Sequence, residues 1–154
     1  MSLLVALNPG GNRANKRWPA HRFAELADLL LERYGCSFII TGHRQDDALA
    51  SDIMHAAKRA KPVSLCGDTH LGELGAVFSR CKLVISGDSG PLHIAAGVGT
   101  NVIALFGPTD PRLTGPIGRG KNIVIRADGE GREPSMLAIE PRRVLEVVER
   151  EGLL

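Results

Sequence analysis

The stretch SGDSGPLHIAA, residues 86–96, places an acid, a hydroxyl, a glycine, a proline and an imidazole directly after an apolar run. Three kinds of chemistry use such residues where a strand ends and a helix begins: a serine nucleophile, a phosphate cradle, or a helix cap with no ligand. The side chains in question are those of Asp88, Ser89, Pro91 and His93, together with Gly90.

The surroundings of Ser89 argue against a nucleophile. The strand–turn–helix motif G-x-S-x-G requires a glycine where Pro91 stands, and the GDSG segment of serine proteases belongs to β-barrels. A catalytic triad also needs a histidine and an acid on later strand ends, but His93 is the last histidine and lies one helical turn from Ser89. We predict that Ser89 is not a nucleophile.

Two glycine-rich runs resemble nucleotide-binding loops only in part. In GPIGRGKN, residues 115–122, Asn122 takes the place of the Ser or Thr that holds magnesium in a P-loop, and the run leads into a strand instead of a helix. The Gly10-Gly11-Asn12 run is too short for a dinucleotide fingerprint. The glycines of the 115–122 run are predicted to be structural turn glycines, and Gly10-Gly11 belongs to the loop that ends the first strand.

The phosphate and capping interpretations of residues 86–96 fit the residues equally well. A helix that starts after a strand exposes unpaired N–H groups and the positive end of its dipole, which attract phosphate. Gly90 would admit a ligand close to the backbone, and Ser89 can donate its hydroxyl. A capping side chain from Asp88 or Ser89, with no ligand, explains the same residues.

Apolar runs bounded by glycine and proline predict six strands that alternate with about five helices. The predicted strands cover 3–7, 36–41, 63–65, 82–86, 101–105 and 122–126, and the helices cover Pro19 to Gly35, Asp46 or Asp47 to about Arg59, 71–79, 91–96 and 141–150. Non-alternating apolar strands interleaved with helices predict an α/β fold with a doubly wound, Rossmann-like parallel sheet. Ligands of such sheets bind beyond the carboxyl ends of the strands, so the candidate loops are 8–18, 42–46, 66–70, 87–91 and 106–120.

Composition narrows the class of protein. The 154 residues fit a single domain, 1–154, and 44% hydrophobic with 23% charged residues is an ordinary globular balance. A net charge of +2, with basic residues scattered among acids, argues against nucleic acid as a partner. Three widely separated cysteines and the lack of a membrane-length apolar run or signal peptide predict a cytoplasmic protein with reduced thiols.

Three segments together resemble the bacterial heptosyltransferases, glycosyltransferase family 9. The run DSGPLHIAAGVGTNVIALFGPTDP (88–111) is similar to the family's Asp-(Ser/Thr)-Gly-x-x-His segment followed by Phe-Gly-Pro-Thr. NPGGNRANKRWPAHRFAELADLL (8–30) and CGDTHLGELGAVFSRCKLVISGD (66–88) resemble two further family motifs, in the same order. The resemblance is close over residues 5 to about 111 and loose in the tail, and the order of three motifs makes it specific.

The resemblance implies the arrangement called GT-B, in which two Rossmann-like domains face each other. The carboxyl-terminal domain holds a nucleotide sugar, commonly ADP-heptose, the amino-terminal domain holds the lipopolysaccharide-core acceptor, and transfer inverts the anomeric centre without a tightly bound metal. By this resemblance the chain is the carboxyl-terminal, donor-binding domain, either excised or naturally stand-alone. Its implied partners are the nucleotide sugar, an amino-terminal acceptor-binding domain and, through that domain, a lipopolysaccharide-type acceptor and the inner-membrane surface.

The resemblance also implies a set of donor-binding residues. Ser89 and Gly90 would bind the diphosphate, Asp88 and His93 would contact sugar and phosphate, and Lys16 would neutralise the departing ADP. Asp46 would meet the ribose hydroxyls, although Asp47 is adjacent and either acid would also serve as a helix cap. Trp18 is assigned to the core. The implied donor-binding set is Lys16, Asp46, Asp88, Ser89, Gly90 and His93.

The chain departs from the family pattern in several places. His43 and Asp46 stand where the family more often has Gly-Pro and a Glu, and the Cys-rich insertion after Phe-Gly-Pro-Thr is missing. The family's proposed general base is an Asp of the amino-terminal domain, so no catalytic residue, metal or cofactor is expected here, and the chain alone should transfer nothing. The alternatives are a non-catalytic nucleotide-sugar-binding module and an epimerase-like or flavodoxin-type fold that matches by accident.

Overall fold

The computed structural model describes residues 3–11, 17–107, 118–127 and 135–154. The strands are β1 (Leu4–Asn8), β2 (Ser37–Ile40), β3 (Val63–Ser64), β4 (Leu83–Gly87), β5 (Asn101–Phe106) and β6 (Asn122–Arg126). The helices are α1 (Ala20–Tyr34), α2 (Asp47–Ala56), α3 (Leu71–Ser79), α4 (Gly90–Gly97) and α5 (Pro141–Glu151), with short 3-10 turns over Arg44–Asp46 and Met136–Ala138.

The described strands form one parallel sheet in the order β3-β2-β1-β4-β5-β6. The chain starts in the middle, winds to the β3 edge, returns to β4 and then winds to the β6 edge. This confirms the predicted doubly wound, Rossmann-like α/β fold. The winding direction reverses between β1 and β4, and a reversal leaves a crevice at the carboxyl ends of those two strands.

Helices cover both faces of the sheet. Leu83 and Ile85 of β4 pack in one core cluster with α1, α2 and α5, whereas Val84 between them packs in a second cluster with α3 and α4. Because successive strand residues point to opposite faces, a sheet that is covered on both sides needs apolar residues at every position. This is the physical origin of the continuous apolar runs in the sequence.

Trp18 anchors the start of α1, as predicted. Its side chain is 2% exposed, meets the edge of Phe23 with ring centroids 4.9 Å apart, and donates its indole N–H to the carbonyl of Ile139 at 2.9 Å. Gly35 ends α1 in the left-handed conformation, φ 71°, with its N–H on the Leu31 carbonyl. The chain is therefore anchored at Trp18, where the loop after β1 leads into α1.

Helix α2 ends at Ala56, earlier than the predicted end near Arg59. The reason is a tertiary contact: the Asp28 carboxylate of α1 accepts the backbone N–H groups of Lys58, Arg59 and Ala60 at 2.8, 2.9 and 2.8 Å. These N–H groups are drawn to the carboxylate instead of continuing the helix ladder.

The structure describes residues 118–122 of the glycine-rich run 115–122, and Gly118 and Gly120 lie there in the turn before β6. A Cβ on Gly118 would lie 1.9 Å from the carbonyl oxygen of Ala96, and one on Gly120 would lie 2.6 Å from that of Gly99. Asn122 donates its amide to the carbonyls of both glycines and opens β6. Close packing against the end of α4 thus explains them, as predicted. Within the described ranges, no helix is both long and apolar enough to cross a bilayer.

Candidate functional site

A cavity of about 490 Å³ lies at the carboxyl edge of the sheet, in the crevice between β1 and β4. The loops after β1, β2, β3 and β4 line it, together with residues of the first turns of α3 and α4. Among the residues that the structure describes, four titratable side chains line the cavity: the carboxylates of Asp46 and Asp88 and the imidazoles of His43 and His70. Leu71, Leu74, Pro91 and Ile94 supply an apolar wall.

Three helices begin at this cavity. Leu71 and Gly90 are the first residues of α3 and α4, Asp46 directly precedes α2, and all three line the cavity. The dipole of each helix carries partial positive charge at its start. The Asp47 N–H of α2 is bonded to the Arg44 carbonyl and His70 forms a capping box at the start of α3, whereas the start of α4 has no side-chain cap. The uncapped start of α4, together with the dipoles of the three helices, suits the cavity to an anionic ligand despite its two carboxylates.

A buried hydrogen-bond network joins the strand ends beneath the cavity. Asn8 donates its amide to the hydroxyls of Ser86 at 3.2 Å and Ser89 at 3.3 Å, and its carbonyl oxygen accepts from the Thr41 hydroxyl at 3.0 Å. Asn8, Thr41 and Ser86 are at most 2% exposed. The network therefore fixes Ser89 relative to three neighbouring strands.

Asp46 is held between two glycine loops. Its carboxylate accepts the backbone N–H of His43 at 2.9 Å, and the side chain makes no capping hydrogen bond to α2. A Cβ on Gly10 or Gly42 would come within 2.6 or 2.8 Å of the Asp46 Oδ2 atom, so both loops close over the carboxylate only because these residues are glycines. As a result Asp46 lines the cavity while only 5% of it is exposed.

At the start of α4, neither the glycine at position 90 nor the Ser89 side chain is explained by packing or by helix capping. A Cβ on Gly90 would meet nothing within 4 Å, so the fold itself does not require a glycine there. Ser89 occupies the N-cap position of α4 in an extended conformation, but its hydroxyl turns to Asn8 and Ser86 and makes no capping bond. The helix-cap interpretation therefore does not account for the Ser89 side chain.

The structure brings together four of the six predicted site residues: Asp46, Asp88, Ser89 and Gly90 all line the cavity. His93 is exposed on α4 and is not among the lining residues. Lys16 falls outside the described residues. Its neighbour Arg17 donates from two guanidinium nitrogens to the carbonyl of Gly11, which lines the cavity, so the described ends of that loop lie at the rim.

Sequence reasoning did not single out Asn8, Thr41 and Ser86. The available signal was that each is a polar residue at the end of an apolar strand run, which is where Rossmann-like sheets bind ligands. Cys66 lies nearby, 3.2 Å from the position that a Gly42 Cβ would take, and burial raises the pKa of its thiol. In the described part of the chain, no three His, Cys, Asp or Glu residues are grouped as they would be to hold a metal ion.

Comparisons with known proteins point to one family. The family model for glycosyltransferase family 9 (heptosyltransferase) matches residues 3–141. Lipooligosaccharide heptosyltransferase 2 of Haemophilus influenzae is 33% identical over 145 residues, which cover 85% of this chain and 42% of that protein.

Solved structures agree with that match. The structure of Escherichia coli ADP-heptose lipopolysaccharide heptosyltransferase II covers 99% of this chain with a TM-score of 0.86 at 32% identity, and the match takes up 46% of that protein. The Escherichia coli heptosyltransferase WaaC with ADP covers 97% with a TM-score of 0.84 at 25% identity, over 44% of its own length. The chain thus spans less than half the length of these relatives.

Proposed function

This chain belongs to glycosyltransferase family 9, the heptosyltransferases, and on that premise we propose that it is the donor-binding domain of such an enzyme. In this proposal it is the carboxyl-terminal half of a GT-B fold and holds a nucleotide sugar, ADP-heptose or a close analogue, for transfer to a lipopolysaccharide-core acceptor. The acceptor and the general base belong to an amino-terminal domain that corresponds to the remaining length of the relatives.

The observation that carries the proposal is the uncapped start of α4 at the crevice between β1 and β4. A nucleoside diphosphate is an elongated anion that needs N–H donors at one end and an acceptor for ribose hydroxyls at the other. The start of α4 offers the Ser89 hydroxyl and an unobstructed approach at Gly90. Charge-assisted bonds of this kind contribute about 1.5–3 kcal/mol each.

Asp46 supplies the other end of the proposed site. Its carboxylate lines the same cavity on the side of the β2 loop and is an acceptor-only group, which suits donation from ribose hydroxyls. The carboxylate is held by the His43 N–H and enclosed by Gly10 and Gly42, so its position is fixed before a ligand arrives. A fixed acceptor lowers the ordering cost of binding.

The proposed chemistry is a single displacement at the anomeric carbon. The acceptor oxygen forms its bond to that carbon as the bond to the diphosphate oxygen breaks on the opposite face, which inverts the configuration. Negative charge then grows on the departing diphosphate, where the starts of α3 and α4, the Ser89 hydroxyl and Lys16 would stabilise it. Asp88, which lines the cavity, is proposed to face the sugar–phosphate side of the donor, whereas His93 lies outside the cavity lining and has no role in this proposal.

Calorimetric titration with ADP and AMP tests the proposal. We expect ADP to bind at least about tenfold more tightly than AMP, because the second phosphate adds charge-assisted bonds at α4. Ser89→Ala should reduce that preference. Ser79→Ala, which removes an exposed hydroxyl bonded to the Ala76 carbonyl on α3, is the matched control and should leave it unchanged. Equal affinity for ADP and AMP, or no binding of either at millimolar concentration, would overturn the donor-site assignment.

A further inference from the structure

The network beneath the cavity has a direction that follows from counting its hydrogens. The Thr41 hydroxyl donates to the Asn8 carbonyl oxygen, which leaves the two amide hydrogens of Asn8 for the serines. One goes to Ser86 Oγ at 3.2 Å and the other to Ser89 Oγ at 3.3 Å. Both serine oxygens therefore act as acceptors towards Asn8.

The hydroxyl hydrogens of the two serines have different destinations. Ser86 donates to the carbonyl of Gly87 at 2.9 Å. The Ser86 and Ser89 oxygens are 3.1 Å apart, so within the network the Ser89 hydrogen can be given only to Ser86 Oγ, which already accepts from Asn8. Because Ser89 also lines the cavity, its hydrogen is the one that can turn from the network to a ligand.

We infer that Asn8 is a positioning residue that holds Ser89 as an acceptor, so that the Ser89 hydroxyl hydrogen is presented to an acceptor atom of the ligand. This inference rests on the proposed function, since the acceptor is then a phosphate oxygen. In the observed network the Thr41 hydroxyl donates to the Asn8 carbonyl oxygen, and this bond holds the amide hydrogens towards the serines. Asn8 lines the cavity and Thr41 does not, so the Thr41 hydroxyl is linked to the cavity through the Asn8 amide.

The direction of the network determines the kind of ligand group that fits. If the Asn8 amide rotated, its carbonyl oxygen would face the serines, and the Ser89 hydroxyl would donate its hydrogen to Asn8. Only the lone pairs of Ser89 Oγ would then face the ligand. An oxygen lone pair beside a phosphate is repelled. The observed direction therefore favours anionic acceptors over donors at this point in the cavity.

The experiment is a double-mutant cycle on the full 154-residue chain, with inorganic pyrophosphate as the calorimetric probe. We expect Ser89→Ala to weaken pyrophosphate binding about tenfold and Thr41→Val about fivefold, as a lost or misdirected hydrogen bond would. In the Ser89→Ala background, Thr41→Val should change affinity less than twofold, because its effect passes through the missing hydroxyl. Thr41→Ser keeps the hydroxyl and should restore wild-type affinity.

Thr100→Val is the matched control, because Thr100 is also buried and its hydroxyl donates to a backbone carbonyl, that of Phe78, away from the cavity. It should lower thermal stability without changing pyrophosphate affinity. Equal losses from Thr41→Val in both backgrounds, or a loss that Thr41→Ser does not rescue, would overturn the inference. Wild-type binding of pyrophosphate as tight as that of ADP would contradict only the nucleotide part of the proposed function. Failure of the wild type to bind either anion would overturn both.

Discussion

Two glycines of α4 have the same freedom in the fold but different positions relative to the cavity. A Cβ on Gly90 or on Gly97 would meet nothing within 4 Å, yet only Gly90 lines the cavity. We expect Gly90→Ala and Gly97→Ala both to fold with unchanged or slightly raised stability, since alanine favours helix by up to about 1 kcal/mol. Only Gly90→Ala should weaken ADP binding, by about tenfold or more, because its methyl occupies the ligand's approach to the backbone.

Calorimetry with ADP on the two variants and the wild type makes this comparison. Retained ADP affinity in Gly90→Ala would remove the start of α4 from the proposed diphosphate contacts. A loss of equal size in Gly97→Ala would mean that the helix, and not the ligand approach, had changed.

The cysteines are expected to be unreactive in the folded chain. Burial raises the pKa of Cys36 and of Cys81 to about 11, and it also raises the pKa of Cys66. At pH 8 only about one part in a thousand of Cys36 or Cys81 is then the reactive thiolate. A colorimetric thiol reagent should give only a slow reaction at pH 8, and the rate should rise towards pH 11.

The same chain unfolded in guanidinium is the control and should show all three thiols reacting at once. Rapid stoichiometric labelling of any one cysteine in the folded state would contradict this expectation.

At the scale of elements, the connection between α2 and β3 depends on one carboxylate. Burial raises the pKa of Asp28, but the N–H donors of Ala60, Lys58 and Arg59, with the charge of Lys58, outweigh it and hold the pKa below its ordinary value of 3.8. The stability that this carboxylate supplies is therefore complete above pH 3.8 and is lost as the pH falls through the lower folded-state pKa.

We expect Asp28→Asn to lower the free energy of unfolding by about 1 kcal/mol at pH 7, a value that allows for partial exposure to solvent. The difference from wild type should shrink below pH 3.8, as the wild-type carboxylate is protonated. Urea unfolding of both proteins at a series of pH values measures this difference in the free energy of unfolding. Asp52→Asn, at an exposed position of α2, is the control and should have nearly the wild-type free energy of unfolding at every pH. If Asp28→Asn lost the same stability at every pH, the charge-based explanation would be wrong.

At the scale of the whole molecule, the proposed site is open on one side. Leu71 lines the cavity and is 71% exposed, so part of the apolar wall faces solvent. Electrostatic contacts strengthen when a cleft closes and excludes water. We therefore expect the 154-residue chain to bind ADP with a dissociation constant of order 0.1 mM or weaker, about −5 kcal/mol.

Ligand-observed NMR with ADP measures this affinity, and Gly97→Ala serves as a control that should match the wild type. We also expect no sugar transfer from the chain alone, because the proposed general base and acceptor site lie in the other domain. Submicromolar binding of ADP would show that a closed partner domain is not needed for affinity. Detectable transfer with no second protein would place a base within this chain.

The sequence by itself determined the elements and their class. Helix α3 over 71–79 and strand β6 over 122–126 have their predicted bounds, and the apolar strand runs predicted a sheet covered on both faces. The motif order placed Asp46, Asp88, Ser89 and Gly90 on loops that do share one cavity. These features depend on side-chain periodicity and on glycine and proline punctuation, which are properties of the local chain.

Only the tertiary structure decided which distant residues meet. The early end of α2 comes from a carboxylate on α1, and the Asn8 network joins residues 33, 78 and 81 positions apart. His93, which the motif places beside Ser89, is exposed outside the cavity. Hydrogen bonds of this kind require β1 to lie between β2 and β4, and the order of strands in a sheet is set by the packing of the whole chain and not by any local pattern.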